Sequence, residues 1–202
     1  MRNDLKYSYD WFSKNVPEIL CWVKPIMMGI ERPRVLEIGS FEGMSTRWFI
    51  EKFLQEDDSY IHCVDTWEGS MDHKLRDIDF SVTYDVFVHN LKDHIDQGKC
   101  IVHRGMSSVV LPELISKGER FDLIYIDGSH TAADVMTDAV LSYLLLNVGG
   151  VILFDDYVWK PDELTPAEVP FHAIEFVRNA FCGIGRMELL GLNLTASFKK
   201  LQ

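Results

Sequence analysis

The 202-residue sequence lacks several things that would each have named a class of protein. It has only four cysteines, Cys21, Cys63, Cys100 and Cys182, far apart and without a C-x-x-C pair. Structural zinc sites and redox pairs need closer spacing, so the four read as reduced core thiols. No long apolar run is present. "ILCWVKPIMMGI" is interrupted by Lys24 and Pro25 and is too short to span a bilayer. The opening "MRNDLKYSYDWF" has no signal-peptide apolar region, and a cytoplasmic location is the default expectation. Basic residues are few: 20 Lys and Arg stand against 31 acids, a formal charge of −11. Such a balance argues against a phosphate-tracking surface, hence against nucleic acid as a partner. Internal repeats, low-complexity stretches and linkers are absent too, so residues 1–202 read as one domain, with a leading helical segment over 1–33 and a core over 34–202.

What is present is an alternation of short apolar runs with helical segments. Strands are predicted at 34–39, 60–67, 100–105, 121–128 and 149–156. Helices are predicted at 44–55, 81–97, 107–118 (opened by a serine cap and closed by Gly118) and near 168–182. A further helix after residue 130 carries Met136, Ala139, Val140, Tyr143 and Leu144 at the spacing of one apolar face. "RMELLGL" and "LTASFKK" form a last pair of strands around Asn193. This is the pattern of an α/β fold, a parallel sheet covered by helices on both faces. In such sheets ligands bind at the carboxyl ends of the strands. Asp127, Asp155 and Asp156 fall at those ends.

The first strand runs into "LEIGSFEGMST". Gly39 and Gly43 flank a turn into a helix, and Glu37 precedes it. A dinucleotide site wants a fuller G-x-G-x-x-G. Here Phe41 holds the intermediate position, and Glu42 would repel a phosphate; an acidic loop suits a cationic or zwitterionic ligand. Asp65 ends the second strand, where an acid can accept hydrogen bonds from both hydroxyls of a ribose. The plain alternative is two turn glycines and a helix-capping aspartate.

Taken together, "LEIGSFEG", "IDGSH" and "GGVILFDDY" resemble the class I S-adenosylmethionine-dependent methyltransferases, over about residues 34–160, and within them the branch of macrocin O-methyltransferase-like and cephalosporin-hydroxylase-like proteins. The resemblance implies a Rossmann-like methyltransferase fold of about seven strands, mostly parallel, with a C-terminal antiparallel hairpin. It implies that Glu37 binds the methionine amino group, that Gly39, Ser40 and Gly43 shape the methionine site, that Asp65 holds the ribose, and that Gly105, Met106 and Ser107 lie against adenine. Phe41 stands where that family has a glycine.

The activated methyl group comes with the cofactor, so the protein must position an acceptor and make it nucleophilic. A hard divalent cation lowers the pKa of a bound hydroxyl, and magnesium prefers oxygen ligands. Neighbouring strand ends lie about 4.8 Å apart, so Asp127, Asp155 and Asp156 can converge on one ion; the resemblance implies the same ligand set. Helix capping and ion pairing are the bland roles for these acids. His130, three residues past Asp127, is the candidate general base. "YSYDWF" is either a lid or, more simply, packing for a leading helix through Tyr9, Trp11 and Phe12. The expected function is methyl transfer from S-adenosylmethionine to an oxygen of a small-molecule acceptor, with magnesium or a similar ion assisting and with no membrane partner. The alternatives are a S-adenosylmethionine-binding module without turnover and an NAD-binding oxidoreductase. No pair of histidines with a carboxylate suggests an iron-dependent hydroxylase. Acceptor identity and homo-oligomer formation stay open.

Overall fold

The computed structural model describes residues 4–70, 79–161 and 164–202. Much of the predicted irregular stretch 68–80 therefore lies outside the described residues. Seven strands form one sheet: β1 (Arg34–Ile38), β2 (Tyr60–Asp65), β3 (Cys100–Arg104), β4 (Phe121–Ile126), β5 (Leu146–Phe154), β6 (Met187–Leu192) and β7 (Ala196–Lys200). Their order is β3-β2-β1-β4-β5-β7-β6. The first five are mutually parallel, and β7 runs antiparallel to both β5 and β6. This is the predicted Rossmann-like methyltransferase sheet with its terminal hairpin. Strand order reverses between β1 and β4, and a crevice opens there at the carboxyl ends.

Side chains alternate between two cores. Leu36, Ile38, Ile124, Ile126, Ile152 and Phe154 face one way, under α3 (Ser107–Ser116), α4 (Ala132–Leu145) and α5 (Phe171–Val177). Val35, Leu123, Tyr125, Val151 and Leu153 face the other way. That second face is covered by α1 (Met44–Phe53), α2 (Thr83–Asp96) and a helical run over residues 13–27 that buries Ile19, Val23 and Met27. The period of two places Glu37 and Tyr125 on this second face. The leading run is fastened to the hairpin by Glu18. Its carboxylate accepts from Asn193 Nδ2 (2.7 Å), Leu194 N (3.1 Å), Thr195 N (2.9 Å) and Thr195 Oγ1 (2.7 Å).

Three sequence expectations shift. The buried face of α4 is Val135, Asp138, Ala139, Ser142 and Leu145, whereas Val140 and Leu144 are exposed. The apolar pattern misplaced the face because two buried positions are polar. Ser107 does not cap α3: the N-cap is Met106, with no side-chain bond, and Ser107 is the first helical residue. Of the four free thiols, Cys63 and Cys100 are core residues, with Sγ atoms 3.7 Å apart, but Cys21 is exposed.

Candidate active site

The turn after β1 is held by contacts that only glycine permits. Gly39 has φ +86°, and a Cβ there would lie 2.0 Å from the Asp127 carbonyl oxygen. Gly43, at φ +82°, opens α1 and would drive a Cβ to 2.3 Å from Leu91. The loops after β1 and β4 are thus pressed backbone to backbone at the crevice. Asp127 N donates to Ile38 O (2.8 Å) and Asp155 N to Ile126 O (3.0 Å), which lines the three strand ends up side by side.

Glu37 lies beneath this turn, fully buried. It accepts from Ser40 Oγ (2.7 Å), Ser45 Oγ (2.6 Å) and Thr46 Oγ1. Burial raises its pKa, against the lowering effect of the hydroxyls. Asp65 tightens the same loop from β2: Oδ2 accepts from Ser40 N (2.8 Å) and Phe41 N (2.9 Å), and Oδ1 from Trp67 N (2.7 Å). Phe41 (φ +46°) and Trp67 (φ +57°) are held in left-handed conformations, and Trp67 Nε1 donates to Phe41 O (2.7 Å). Glu42 is not a guard against phosphate. It is buried and turned to the leading segment, accepting from Ser8 N (2.6 Å) and Ser8 Oγ (2.7 Å).

One cavity of about 710 Å³ runs along the strand ends. Its wall includes Gly39, Ser40, Asp65, Gly105, Met106, Ser107, Asp127, His130, Asp155 and Asp156; Glu37 and Gly43 lie behind it. Tyr9 and Trp11 also line it. They are partly exposed, stack on each other at 4.8 Å, and Trp11 stacks on Phe41 at 4.9 Å. Of the "YSYDWF" aromatics only Phe12 packs into the core, edge-on to Phe49 and Tyr125.

At the other end the acids meet. Asp127, His130 and Asp156 offer ligand atoms that all lie within 4.8 Å of one another. His130 Nε2 is 3.2 Å from Asp156 Oδ2, and the imidazole packs on Trp159 at 4.6 Å. Lys14 Nζ lies 3.3 Å from Asp156 Oδ1. Asp155 belongs to a buried network. Its Oδ2 accepts from Tyr125 Oη (2.6 Å) and Asn15 Nδ2 (2.7 Å), its Oδ1 from Asp156 N (2.6 Å). Tyr125 Oη is also 3.2 Å from Asp127 Oδ2.

The electrostatics follow from crowding like charges in a buried place. Burial, then the charges of Asp155 and Asp156, push Asp127 well above the usual carboxylate range. Burial and Asp156 push Asp155 up to about 6. Burial would raise Asp156 as well, but the His130 hydrogen bond and charge, with Lys14, hold it below its ordinary value. Burial first, then Asp127 and Asp155, keep the Tyr125 phenol protonated. Lys14, Asn15 and Tyr125 were not visible in the sequence as site residues. Tyr125 reads as one more apolar position of β4, and nothing local to residues 14–15 announces an acid 140 positions away.

Comparison with known proteins shows the family and the fold. A family profile described as a methyltransferase domain matches residues 36–157. The chain belongs to this methyltransferase family. It is 29% identical over 140 residues to the O-methyltransferase hkm8 of Aspergillus hancockii, covering 69% of this chain and 49% of that protein. The chain thus spans about half the length of the curated relative it matches. Its fold is that of the O-methyltransferase from Bacillus cereus solved with S-adenosylhomocysteine (TM-score 0.68, 17% identity, 96% of this chain and 84% of that one). It is also that of MycE, a methyltransferase of the mycinamycin biosynthetic pathway solved with Mg and S-adenosylhomocysteine (TM-score 0.65, 18% identity, 96% and 51%). TomG from Streptomyces achromogenes, solved with S-adenosylmethionine, shares it as well (TM-score 0.64, 16% identity, 99% and 83%). None of the helices among the described residues is long and apolar enough to cross a membrane.

Proposed function

We propose that the protein transfers a methyl group from S-adenosylmethionine to an oxygen of a small molecule, with a divalent cation at the acid cluster. The observation that carries this reading is the continuous cavity that joins the β1 turn and Asp65 at one end to Asp127, His130 and Asp156 at the other. A cavity of this size accommodates a cofactor together with an acceptor.

The cofactor supplies an activated methyl group on its sulfonium. The turn at Gly39 and Ser40 receives its amino-acid end, over the negative charge of Glu37, which also fixes the hydroxyls of Ser40, Ser45 and Thr46. Asp65 sets the height of that turn and faces the ribose.

The acid cluster suits a hard cation. Two carboxylates, Asp127 and Asp156, converge with a third, Asp155, directly behind, and their mutual repulsion calls for positive charge. Such a cation supplies acidity to a bound hydroxyl. Asp127 and Asp156 would hold it. Asp155, anchored by Tyr125 and Asn15, keeps Asp156 in place through its backbone N–H and adds its charge to the site. Because magnesium disfavours nitrogen ligands, His130 is assigned as the group that takes the hydroxyl proton, with Asp156 orienting its ring.

The test uses purified protein, S-adenosylmethionine and a panel of phenolic and sugar hydroxyls, with S-adenosylhomocysteine as the product measured. Turnover should stop in excess chelator and return with magnesium, while calorimetric binding of S-adenosylhomocysteine persists. Full turnover in chelator would remove the metal from this reading. Tight NAD binding with no heat from S-adenosylhomocysteine would remove the methyltransferase.

A further inference from the structure

Lys14 sits among the acids of the proposed cation site without a part in the proposed chemistry. Its Nζ lies 3.3 Å from Asp156 Oδ1, and the residue lines the cavity. Both oxygens of Asp156 are thereby engaged, since Oδ2 faces His130 Nε2 at 3.2 Å. Asp155 is engaged as well: Oδ1 accepts from Asp156 N, and Oδ2 from Tyr125 Oη and Asn15 Nδ2. Tyr125 and Asn15 are fully buried and belong to the frame of the site. Lys14 differs from them, with a side chain 48% exposed.

The backbone around Lys14 is fixed on both sides. Phe12 packs in the core against Phe49 and Tyr125, and Asn15 is pinned to Asp155 Oδ2 (2.7 Å). Asp156 is fixed too, at φ +55° with its N–H on Asp155 Oδ1 (2.6 Å). What stays free is the lysine stem, four carbons that carry a compact charge. An ammonium and a divalent cation make the same demand on Asp156, because the crowded carboxylates attract both. Held on one carboxylate, the two would repel each other. A divalent ion taken up by Asp127 and Asp156 therefore meets a competitor that is tethered in place and never diluted.

We infer that Lys14 is a tethered occupant of the cation site: its ammonium holds Asp156 in the metal-free protein and gives it up when a divalent ion binds. This inference rests on the divalent-cation reading of the acid cluster. It makes Lys14 the residue that sets how tightly the ion is held, and it places that control on the leading run and not on the sheet.

Mn²⁺ alone is the probe, an ion that shares magnesium's preference for oxygen ligands. Electron paramagnetic resonance of the full chain with Mn²⁺ measures the ion that stays free. Lys14→Gln and Lys14→Met keep most of the stem and drop the charge. Each should bind Mn²⁺ at least about fivefold more tightly than wild type, the weight of one partly exposed ion pair at the upper end of its range. Lys14→Arg keeps the charge and should bind as weakly as wild type. Binding seen only in the two uncharged variants is the same result in its strongest form. Unchanged or weaker binding by Lys14→Gln and Lys14→Met overturns the inference, since Lys14 then does not compete with the ion. So does a Lys14→Arg protein that binds as tightly as Lys14→Gln, because the charge is then not the cause. If none of these proteins binds Mn²⁺, or if binding survives Asp156→Asn, the cation reading itself falls, and this inference falls with it.

Discussion

On the proposed reading, the chemistry turns on His130. Its Nε2 lies 3.2 Å from Asp156 Oδ2 and its ring rests on Trp159, so two contacts fix the imidazole toward the acid cluster. If it accepts the acceptor's proton, His130→Ala should lower the maximal rate by about 10²–10⁴-fold. S-adenosylhomocysteine affinity should hardly change, because the proposed reading gives the cofactor to the β1 turn and Asp65. Single-turnover kinetics and calorimetry on the same preparation read both quantities. A variant that keeps most of its rate would return the proton to water or to one of the aspartates. A variant that loses magnesium affinity in proportion to rate would make His130 a ligand instead. His130 was legible from the sequence because it follows an acid that ends a strand. Tyr125 was not, since a tyrosine inside "FDLIYI" is indistinguishable from core until Asp127 and Asp155 are seen on either side of its hydroxyl.

Among the elements, the leading helical run does more than cover the sheet. It delivers Lys14 and Asn15 to the acids of β5, and Glu18 fixes its position by binding the β6–β7 turn. Glu18→Ala should strip Thr195, a fully buried residue, of its acceptor for both N–H and hydroxyl. The expected loss is about 2–4 kcal/mol, given about 1–3 kcal/mol for each buried group left unsatisfied. Urea unfolding should show it as a lower midpoint at unchanged slope. A change below about 0.5 kcal/mol would mean that water replaces the carboxylate. The sheet itself was readable from the sequence, because short continuous apolar runs such as "LIYI" and "VILF", alternating with helical segments, are the pattern of strands covered on both faces. So were the acids at the strand ends. The docking of the leading run was not readable, since it depends on contacts between residues at opposite ends of the chain, such as Glu18 with Leu194. Nor was the true face of α4, where Asp138 and Ser142 take positions that a hydrophobic pattern assigns to solvent. Asp138 on that face also lines the cavity.

For the whole molecule, buried ionisable groups of opposite sense set how stability responds to acid. His62 on β2 is 5% exposed, with its Nδ1 3.1 Å from His103 Nε2. Burial, then the His103 charge, lower its pKa to about 4. An unfolded histidine titrates near 6.5. Between those values the unfolded chain binds a proton that the folded one refuses, so this contribution is complete above about pH 6.5 and is lost as pH falls toward 4. The loss is about 3 kcal/mol, since a tenfold change in proton affinity corresponds to roughly 1.36 kcal/mol. Asp138 works the other way. Its folded pKa of about 7 exceeds the unfolded value near 3.9, so the folded state binds the extra proton and gains about 3 kcal/mol over the same range. The two effects offset each other in the wild type. Single variants should separate them when unfolding free energies at about pH 7 and about pH 4.5 are compared with wild type. His62→Phe should gain stability on acidification relative to wild type, and Asp138→Asn should lose it, each by about 2–3 kcal/mol. All other titrating groups cancel in that comparison. Variants whose pH dependence parallels the wild type would show that neither group is perturbed in the folded protein.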